Sequence, residues 1–276
     1  KRATSVYLVD RTIPMLPSVL SDDLCSLKPE VERLTFSAVF TFSGTKIVDR
    51  WFGRSIIRSD KRFTYDEADI ALKNESNPHH ETVSALWAIA SHLRKERFDN
   101  GAVMFGTDEV RPLVNKETGE VTGFKRTEYT ESHQLIEELM LLANREVAGM
   151  VAQKLGKKSR LFVYRIHDVP NEEKLDELSV FLRAIGYELS LKKDGTTSQK
   201  DLNKILKQAK GTPEERLITT ATIRSMAKAI YTTKNIGHYG LAFDDYAHFT
   251  SPIRRYPDAL VHRTLAAVLD GKQIEE

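Results

Sequence analysis

The residues best suited to chemistry lie near the C-terminal end of the chain, between Gly237 and Asp258. This stretch combines histidine, tyrosine and phenylalanine side chains with an arginine pair, Arg254 and Arg255. Guanidinium groups bind phosphate through a planar fork of N–H donors, and aromatic rings stack on nucleobases. An arginine pair alone is more often a solvated helix start, so the surrounding rings are what favour a site for nucleic acid.

The backbone pattern of the same stretch is also typical of an anion site. Ser251 followed by Pro252 indicates a helix start. The serine side chain can cap a free N–H group of the first turn, and proline fits the first helical position because the N–H that it lacks would be unpaired there. A helix N-terminus presents unpaired N–H groups and the positive end of a dipole to an anion. We therefore expect Arg254 and Arg255 in the first turn, with Asp258 holding the Arg254 guanidinium from four residues away.

Composition limits the kinds of protein that this chain can be. The 276 residues carry 41 Lys and Arg against 39 Asp and Glu, a formal net charge of +2. This balance argues against binding nucleic acid through bulk charge, so any such site must be a local basic groove. The lone Cys25 excludes an intrachain disulfide and Cys-rich zinc sites, and its apolar neighbours favour burial. Because the sequence shows neither a secretory segment nor a transmembrane stretch, we expect a cytoplasmic protein.

The elements that must position the arginines follow from local patterns. Alternating residues over 34–42 and 47–58, with a turn at Ser43-Gly44, predict a β-hairpin. A second hairpin is predicted for residues 113–124. Thr64 and Glu67 have capping-box spacing, so a short helix should start near Tyr65.

Apolar spacing predicts several longer helices. The segment Ser132–Leu155 should be a central core helix, because one apolar stripe runs along its whole length. The other predicted elements are a helix over 81–98, a buried strand over 161–166, and helices that start at Asn171, Ser198 and Thr212-Pro213. Residues 192–199 form a polar linker and are the best candidate for disorder. These elements indicate an α+β fold in which helices outnumber strands. The sequence shows neither an internal repeat nor a clear domain boundary.

Four motifs together resemble one known family. HFTSPIRRYPD, residues 248–258, resembles the C-terminal signature of the ribonuclease II/ribonuclease R catalytic domain, the RNB domain. The segment 4–34 carries similar IPMLP and LCSL motifs, QLIEELMLLAN over 134–144 resembles the family's central helix, and YRIHDVP over 164–170 its next strand and turn. The motifs come in family order and cover essentially the whole chain. RIHDVP and RRYPD are closer to ribonuclease R than to ribonuclease II.

The resemblance implies a hydrolase, a 3′→5′ exoribonuclease. Such an enzyme degrades RNA processively from a single-stranded 3′ end to nucleoside 5′-monophosphates, with Mg²⁺ as cofactor. The family's Asp-rich metal motif lies upstream of the Tyr7 segment, and no run here matches it. Residues 1–276 are therefore expected to be the C-terminal portion of an RNB catalytic domain, monomeric, with no membrane partner, and nearly inactive alone. An exposed apolar surface or an unpaired strand edge is expected near residues 34–58.

The resemblance also implies roles for individual residues. Arg254 matches the catalytic arginine that contacts the scissile phosphate. The residues implied in RNA binding are Tyr7, Tyr65 and Phe105, which pack against terminal nucleotides, together with Glu137, Ser251 and Arg255. By spacing alone, scattered aromatics are more often core residues. None of the chain's residues is assigned to a metal, because solvated turns are the better interpretation of the Asp22-Asp23 and Asp244-Asp245 pairs.

Two interpretations stay open at the level of sequence. The first is a processive RNA-degrading hydrolase of which this chain is one part. The second is a non-catalytic RNA-binding or regulatory protein on the same scaffold. An unrelated phosphate-handling enzyme is a weaker third. An Asp-rich motif upstream of Lys1 would separate the first interpretation from the second.

Overall fold

A computed structural model of the chain describes residues 3–103, 109–115, 118–156, 161–192 and 195–272. The fold is α+β, as predicted. The strands are β1 (Val6–Tyr7), β2 (Thr12–Ile13), β3 (Glu32–Ser43), β4 (Lys46–Arg58), β5 (Glu109–Val114), β6 (Val121–Thr127), β7 (Tyr164–Ile166) and β8 (Ile230–Thr232). The helices are α1 (Tyr65–Lys73), α2 (His80–Asp99), α3 (Glu131–Leu155), α4 (Glu172–Ala184), α5 (Gln199–Ala209), α6 (Glu215–Ser225) and α7 (Tyr256–Leu269).

Contacts divide the chain into two compact units. The first unit comprises Lys1–Leu93, Thr107–Val163 and Ala247–Glu276, and the second comprises Arg94–Gly106 and Tyr164–Tyr246. The larger segment of the second unit, Tyr164–Tyr246, is inserted in sequence between α3 and α7 of the first unit, and its smaller segment begins within α2. The boundary was not apparent from sequence because it does not coincide with a glycine- or proline-rich linker.

The predicted β3–β4 hairpin is confirmed in the first unit. The strands are antiparallel, and Gly44 makes the turn with a φ of +62°, which favours glycine. Among the described residues, β3 and β4 pair only with each other. Leu34 and Ile56 are 85% and 65% exposed, so the apolar surface expected near residues 34–58 is present.

The helical core of the first unit is built on α3. The predicted bounds of this helix were correct to within one residue. Its buried face includes Leu141, Val147 and Val151, and its first turns pack through Leu135 against Ala71 of α1 and helix α2. The predicted capping box of α1 is confirmed, because Thr64 Oγ1 accepts from the Glu67 N–H and the Glu67 carboxylate accepts from the Thr64 N–H.

Helices α4, α5 and α6 form the core of the second unit. Their apolar faces meet at Leu178, Leu182, Leu202, Ile205 and Ile218. The predicted caps are confirmed: the side chains of Asn171 and Ser198 accept hydrogen bonds from the first turns of α4 and α5. Strand β7 pairs with β8 in antiparallel register.

Several sequence-based predictions were wrong in detail. The buried strand predicted for 161–166 is limited to Tyr164–Ile166. Helix α6 begins at Glu215 rather than after Thr212, because the Thr212 N–H and hydroxyl donate to the carbonyl of Ala209 at the end of α5. Cys25 is exposed, because it follows the short helical segment Val19–Leu24, which has no buried residue.

The polar segment predicted to be disordered is partly structured where it is described. The Gly195 N–H donates to the Lys192 carbonyl at 3.0 Å, and Thr197 Oγ1 donates to the Ser190 carbonyl at 2.9 Å. The second bond attaches the residues directly before α5 to Ser190. Among the described helices, none is long and apolar enough to cross a membrane.

Candidate nucleic-acid interface

The arginine-rich motif does not start a helix where the sequence predicted it. Helix α7 begins at Tyr256, with Pro257 in its first turn, and Arg255 stands before it in an extended conformation. Residues 251–255 form a turn in which the N–H groups of Arg254 and Arg255 donate to the Ser251 carbonyl at 3.2 and 3.1 Å. Pro257, rather than Pro252, takes the proline position of the helix. The helix start predicted at Ser251-Pro252 is therefore wrong, and the Tyr256 N–H at the observed start donates to the Ala3 carbonyl.

The salt bridge of this motif also differs from the prediction. Asp258 pairs with Arg255 rather than with Arg254, at 2.8 Å between Nη2 and Oδ2. The same Oδ2 accepts the Ser251 N–H at 2.8 Å. Asp258 is fully buried, so one carboxylate joins the first residue of the turn to its last. The reason is geometric: Arg255 lies directly before the helix and three residues from Asp258, whereas Arg254 lies on the outside of the turn.

Arg254 presents its guanidinium to solvent. The side chain is exposed, and within the described ranges it makes neither an ion pair nor a side-chain hydrogen bond. Its backbone is held firmly, because its carbonyl accepts from the Ser5 N–H at 3.0 Å and from Thr4 Oγ1 at 3.1 Å. An immobilised backbone with an unpaired guanidinium is well suited to bind an anion.

The same contacts bring the N-terminal segment to the arginine motif. Thr4 and Arg255 form an antiparallel β-bridge although they lie at opposite ends of the sequence. Tyr7, three residues further along, lies in β1 and is 61% exposed. The predicted tyrosine and the predicted arginines therefore belong to one connected part of the first unit.

Tyr65 stacks on a histidine that the sequence analysis did not single out. The rings of Tyr65 and His133 lie 3.7 Å apart between centroids, with 16° between their planes. His133 Nδ1 is 2.8 Å from Thr130 Oγ1, and Ser132 Oγ donates to the Tyr65 carbonyl at 3.2 Å. Tyr65 is still 45% exposed, so its ring is backed by protein while part of it stays open to solvent.

Helix α3 connects these groups. His133, Glu137 and Asn144 recur at intervals of four and seven residues, which places them along one face of the helix. Asn144 Oδ1 accepts the N–H groups of Phe249 and Thr250 at 2.8 and 3.2 Å. Because these two residues come directly before Ser251, α3 fixes the arginine turn as well as the Tyr65 ring. Glu137 lies between the two attachments and is half-buried.

A second histidine supports the arginine motif from α7. The His262 Nε2–H donates to the Phe249 carbonyl at 2.8 Å, and the two rings stack with centroids 4.5 Å apart. Burial lowers the pKa of His262 below its ordinary value. The neutral imidazole therefore acts as a hydrogen-bond donor that holds the backbone before Ser251.

Sequence reasoning missed His133, Asn144 and His262. The four-residue spacing of His133 and Glu137 on a predicted helix was a usable signal for the first. The other two act through contacts with residues far away in sequence, which a local pattern does not show. Of the predicted site residues, Tyr7, Tyr65, Glu137, Ser251, Arg254 and Arg255 lie in the first unit, and Phe105 lies outside the described residues.

The second unit contains a pair of neighbouring histidines, of which His167 is buried and His238 is half-buried. His167 and His238 lie 5.0 Å apart between ring centroids. His167 accepts the Gly240 N–H at Nδ1 and donates from Nε2 to the Ala227 carbonyl, which fixes one neutral tautomer. Burial, together with repulsion between its protonated form and a protonated His167, lowers the pKa of His238 to about 3.

The described residues do not supply a set of ligands for Mg²⁺. Within the described ranges, no three His, Cys, Asp or Glu side chains converge on a common point, whereas Mg²⁺ needs several oxygen ligands. Asp23 is bonded to Lys28, and Asp245 accepts from Asn235. The Asp22-Asp23 pair lies in the short helical segment Val19–Leu24 rather than in the predicted turn.

The fold and this surface define a mixed α+β domain that presents an unpaired guanidinium and stacked rings, which is typical of a nucleic-acid-binding protein. A family model described as the RNB domain matches residues 1–271, and the chain belongs to that family. The resemblance seen in the sequence is thereby confirmed.

Two curated relatives and one solved structure show the extent of the similarity. The chain is 38% identical over 284 residues to ribonuclease R of Aquifex aeolicus, covering 100% of this chain and 39% of the relative. It is 36% identical over 282 residues to ribonuclease R of Escherichia coli, and the match covers 99% of this chain and 34% of the relative. The structure of Mycoplasma genitalium RNase R in complex with ribose methylated single-stranded RNA matches with a TM-score of 0.87 and 27% identity. This match covers 98% of this chain and 43% of the chain in that structure. The chain thus spans less than half the length of each.

Proposed function

We propose that the protein carrying this chain is a ribonuclease R-type hydrolase that degrades RNA processively from a single-stranded 3′ end to nucleoside 5′-monophosphates. The observation that carries the proposal is Arg254, an exposed and unpaired guanidinium on a turn fixed by α3, α7 and the N-terminal segment. The RNB match over residues 1–271 and the ribonuclease R relatives support the same reaction.

Arg254 is proposed to act on the phosphate that is cleaved. In this hydrolysis, the oxygen of water adds to phosphorus and the bond to the 3′ oxygen of the preceding nucleotide breaks. That oxygen takes up a proton and becomes the new 3′ hydroxyl, while the phosphate leaves on the 5′ oxygen of the released nucleotide. Charge shifts onto the phosphate oxygens as the bond breaks, and a fixed guanidinium stabilises this change more than it stabilises the bound RNA.

Aromatic residues are proposed to hold the end of the RNA. Tyr65 offers a partly open ring backed by His133, and Tyr7 offers an exposed ring in β1. Stacking suits an enzyme that accepts any base, because every base has a π-face. The same role for Phe105 stays a prediction, since this residue lies outside the described ranges.

The remaining site residues are proposed to contact RNA near Arg254. Ser251 and Arg255 are both bonded to Asp258, so their first role is to hold the turn in shape. The Arg255 side chain is 22% exposed and can reach a phosphate with its remaining donors. Glu137 is proposed to lie near the substrate, on the face of α3 that carries His133.

Mg²⁺ is the proposed cofactor. When bound, it would activate the attacking water and stabilise the leaving oxygen. Because the chain spans 39% and 34% of its two relatives, the carboxylates that bind it are to be sought outside residues 1–276. We further propose that residues 1–276 are part of a monomeric RNB catalytic domain in a cytoplasmic protein. A non-catalytic RNA-binding role is not favoured, because the relatives are ribonucleases R.

The reaction is tested with the full-length protein, RNA labelled at its 5′ end, and Mg²⁺. We expect the labelled strand to pass directly to a short end product without a ladder of intermediates, with nucleoside 5′-monophosphates identified by chromatography, and almost no reaction from the chain 1–276 alone. Internal cleavage, or release of nucleoside 3′-monophosphates, would contradict the proposal.

A further inference from the structure

A cleft in the second unit carries positive charge that the proposed reaction does not use. The cleft has a volume of about 640 Å³ and lies between the C-terminal end of α2 and one face of α5. Its lining residues are Phe98, Asp99, Lys200, Asn203, Lys204, Lys207 and Gln208, and we call it the lysine cleft.

The three lysines form a continuous stripe on α5. Lys200, Lys204 and Lys207 are separated by four and three residues, so they share one face of the helix. All three are exposed, and among the described residues none makes an ion pair or a side-chain hydrogen bond. The carboxylate in the lining, Asp99, is already paired with Lys95 at 2.9 Å. The stripe is therefore a set of like charges without counter-charges in the described protein.

The stripe is held in place by the opposite side of α5. Leu202, Ile205 and Leu206 are buried in the core of the second unit, which prevents rotation of the helix. Asn203 Nδ2 donates to the Ala102 carbonyl at 2.8 Å and joins α5 to the segment after α2. A rigid row of like charges gains from a ligand that neutralises several charges at once.

The other wall of the cleft is formed by Phe98 and Asp99. The guanidinium carbons of Arg94 and Arg97 lie 4.8 and 4.7 Å from the centroid of the Phe98 ring. The stripe itself extends over about 10 Å, from the helical rise of about 1.5 Å per residue. That length corresponds to two or three phosphates of a nucleic-acid strand.

We propose that the lysine cleft binds the phosphate backbone of single-stranded RNA, through residues other than those that hold the 3′ end. The inference rests on the proposed function, since it assumes that RNA is the substrate. Lysine is a point charge on a flexible stem, so the contact is independent of sequence and sensitive to salt. An RNA chain held at a second place stays bound between cleavage steps, which is what processive degradation needs.

The test compares RNA binding by two triple variants of the full-length protein. The first replaces Lys200, Lys204 and Lys207 with glutamine. The matched control replaces Lys46, Lys154 and Lys174, which are exposed lysines outside the cleft. Affinity for a fluorescent single-stranded oligoribonucleotide is measured by anisotropy at several salt concentrations, with chelator present to prevent cleavage.

We expect the cleft variant to bind RNA at least about tenfold more weakly than the wild type. The slope of log affinity against log salt concentration should become shallower by about 2, because each of three lost phosphate contacts contributes roughly 0.7 to that slope. The control variant should keep most of the affinity. Replacement of the three cleft lysines with arginine keeps the positive charge and should preserve RNA binding. Preserved binding in this variant would show that the loss in the glutamine variant comes from the lost charge and not from misfolding.

Equal affinity and equal salt dependence in the cleft variant and wild type would overturn the proposal, and an acidic protein would then be the better partner. If the wild type degrades RNA while the cleft variant binds normally, the inference fails and the proposed function stands. If the wild type neither binds nor degrades RNA, both fail.

Discussion

At the residue scale, the stacked pair Tyr65 and His133 is the proposed grip on the RNA end. An aromatic ring binds a base well only when it cannot turn away, and His133 fixes Tyr65 from one side at 3.7 Å. His133 is itself fixed by Thr130. The pair therefore converts a partly exposed tyrosine into a rigid platform.

We predict that His133→Ala weakens RNA binding about threefold to tenfold, the range expected for an aromatic pair contact of roughly 0.5–1.5 kcal/mol. The effect should appear in KM rather than in kcat, because no reacting atom is touched. His133→Phe keeps a flat ring and should retain most of the affinity. Steady-state kinetics of both variants check the role, and a fall in kcat with unchanged KM would contradict it.

Tyr65→Ala removes the platform surface itself. It should weaken the grip on the 3′ end more than His133→Ala does, since stacking of one base contributes about 1–3 kcal/mol. The length of the final undegraded product should also change, because release occurs when too few contacts remain. Gel analysis of end products measures this, and an unchanged product length would exclude Tyr65 from the grip.

At the element scale, the turn 251–255 depends on one buried carboxylate. Asp258 joins the Ser251 N–H to the Arg255 guanidinium and is fully buried. Asn144 of α3 and His262 of α7 fix the two residues before the turn. Three residues on two helices, α3 and α7, thus determine where Arg254 lies, although none of these three residues is expected to contact RNA.

Asp258→Ala should lower the free energy of unfolding by about 3 kcal/mol, because it leaves the partly buried Arg255 charge and the Ser251 N–H without their acceptor. Turnover should fall as well, since the turn that carries Arg254 loses its anchor. Asp270→Ala is the matched control. Its ion pair with Arg54 lies at the surface, so a much smaller loss is expected. Denaturant unfolding gives both values, and equal losses would show that Asp258 has no special structural role.

Sequence reasoning was most successful where the cause is local. Thr64, Asn171 and Ser198 were identified as caps, and each forms the expected bond within three residues of itself. The start of α7 was misplaced because Pro252 and Pro257 are both plausible at a helix start. The choice is decided by the bridge between Thr4 and Arg255, two residues far apart in sequence. The same reason explains why Asn144 and His262 were missed.

At the scale of the whole molecule, three neutral histidines that are buried or half-buried make stability depend on pH. His238 has a pKa of about 3, and burial also lowers the pKa values of His167 and His262. In the unfolded chain a histidine titrates near its ordinary value of about 6.5. Below that value the unfolded chain takes up protons that the folded chain does not, so acid favours unfolding.

We predict that the free energy of unfolding falls as pH decreases from about 6.5 toward 3, with His238 alone contributing up to about 1.4 kcal/mol per pH unit. Stability should be fully retained above that window. Urea unfolding of the wild type and of His238→Phe at pH 7 and pH 5 tests the assignment. The variant should lose less stability on acidification, and equal losses in the two proteins would contradict it.

Arg254 is the central residue of the proposed reaction, and separate measurement of turnover and RNA affinity in the full-length protein tests its role most directly. Arg254→Ala should reduce kcat by roughly a hundredfold or more, the scale of losing one charged transition-state contact. Affinity should fall much less, because the stacked bases and the other phosphates keep their partners. Arg254→Lys keeps the charge without the planar fork and should recover only part of the rate. If Arg254→Ala binds RNA weakly yet turns over at the normal rate when saturated, Arg254 is a binding residue and the catalytic assignment is wrong.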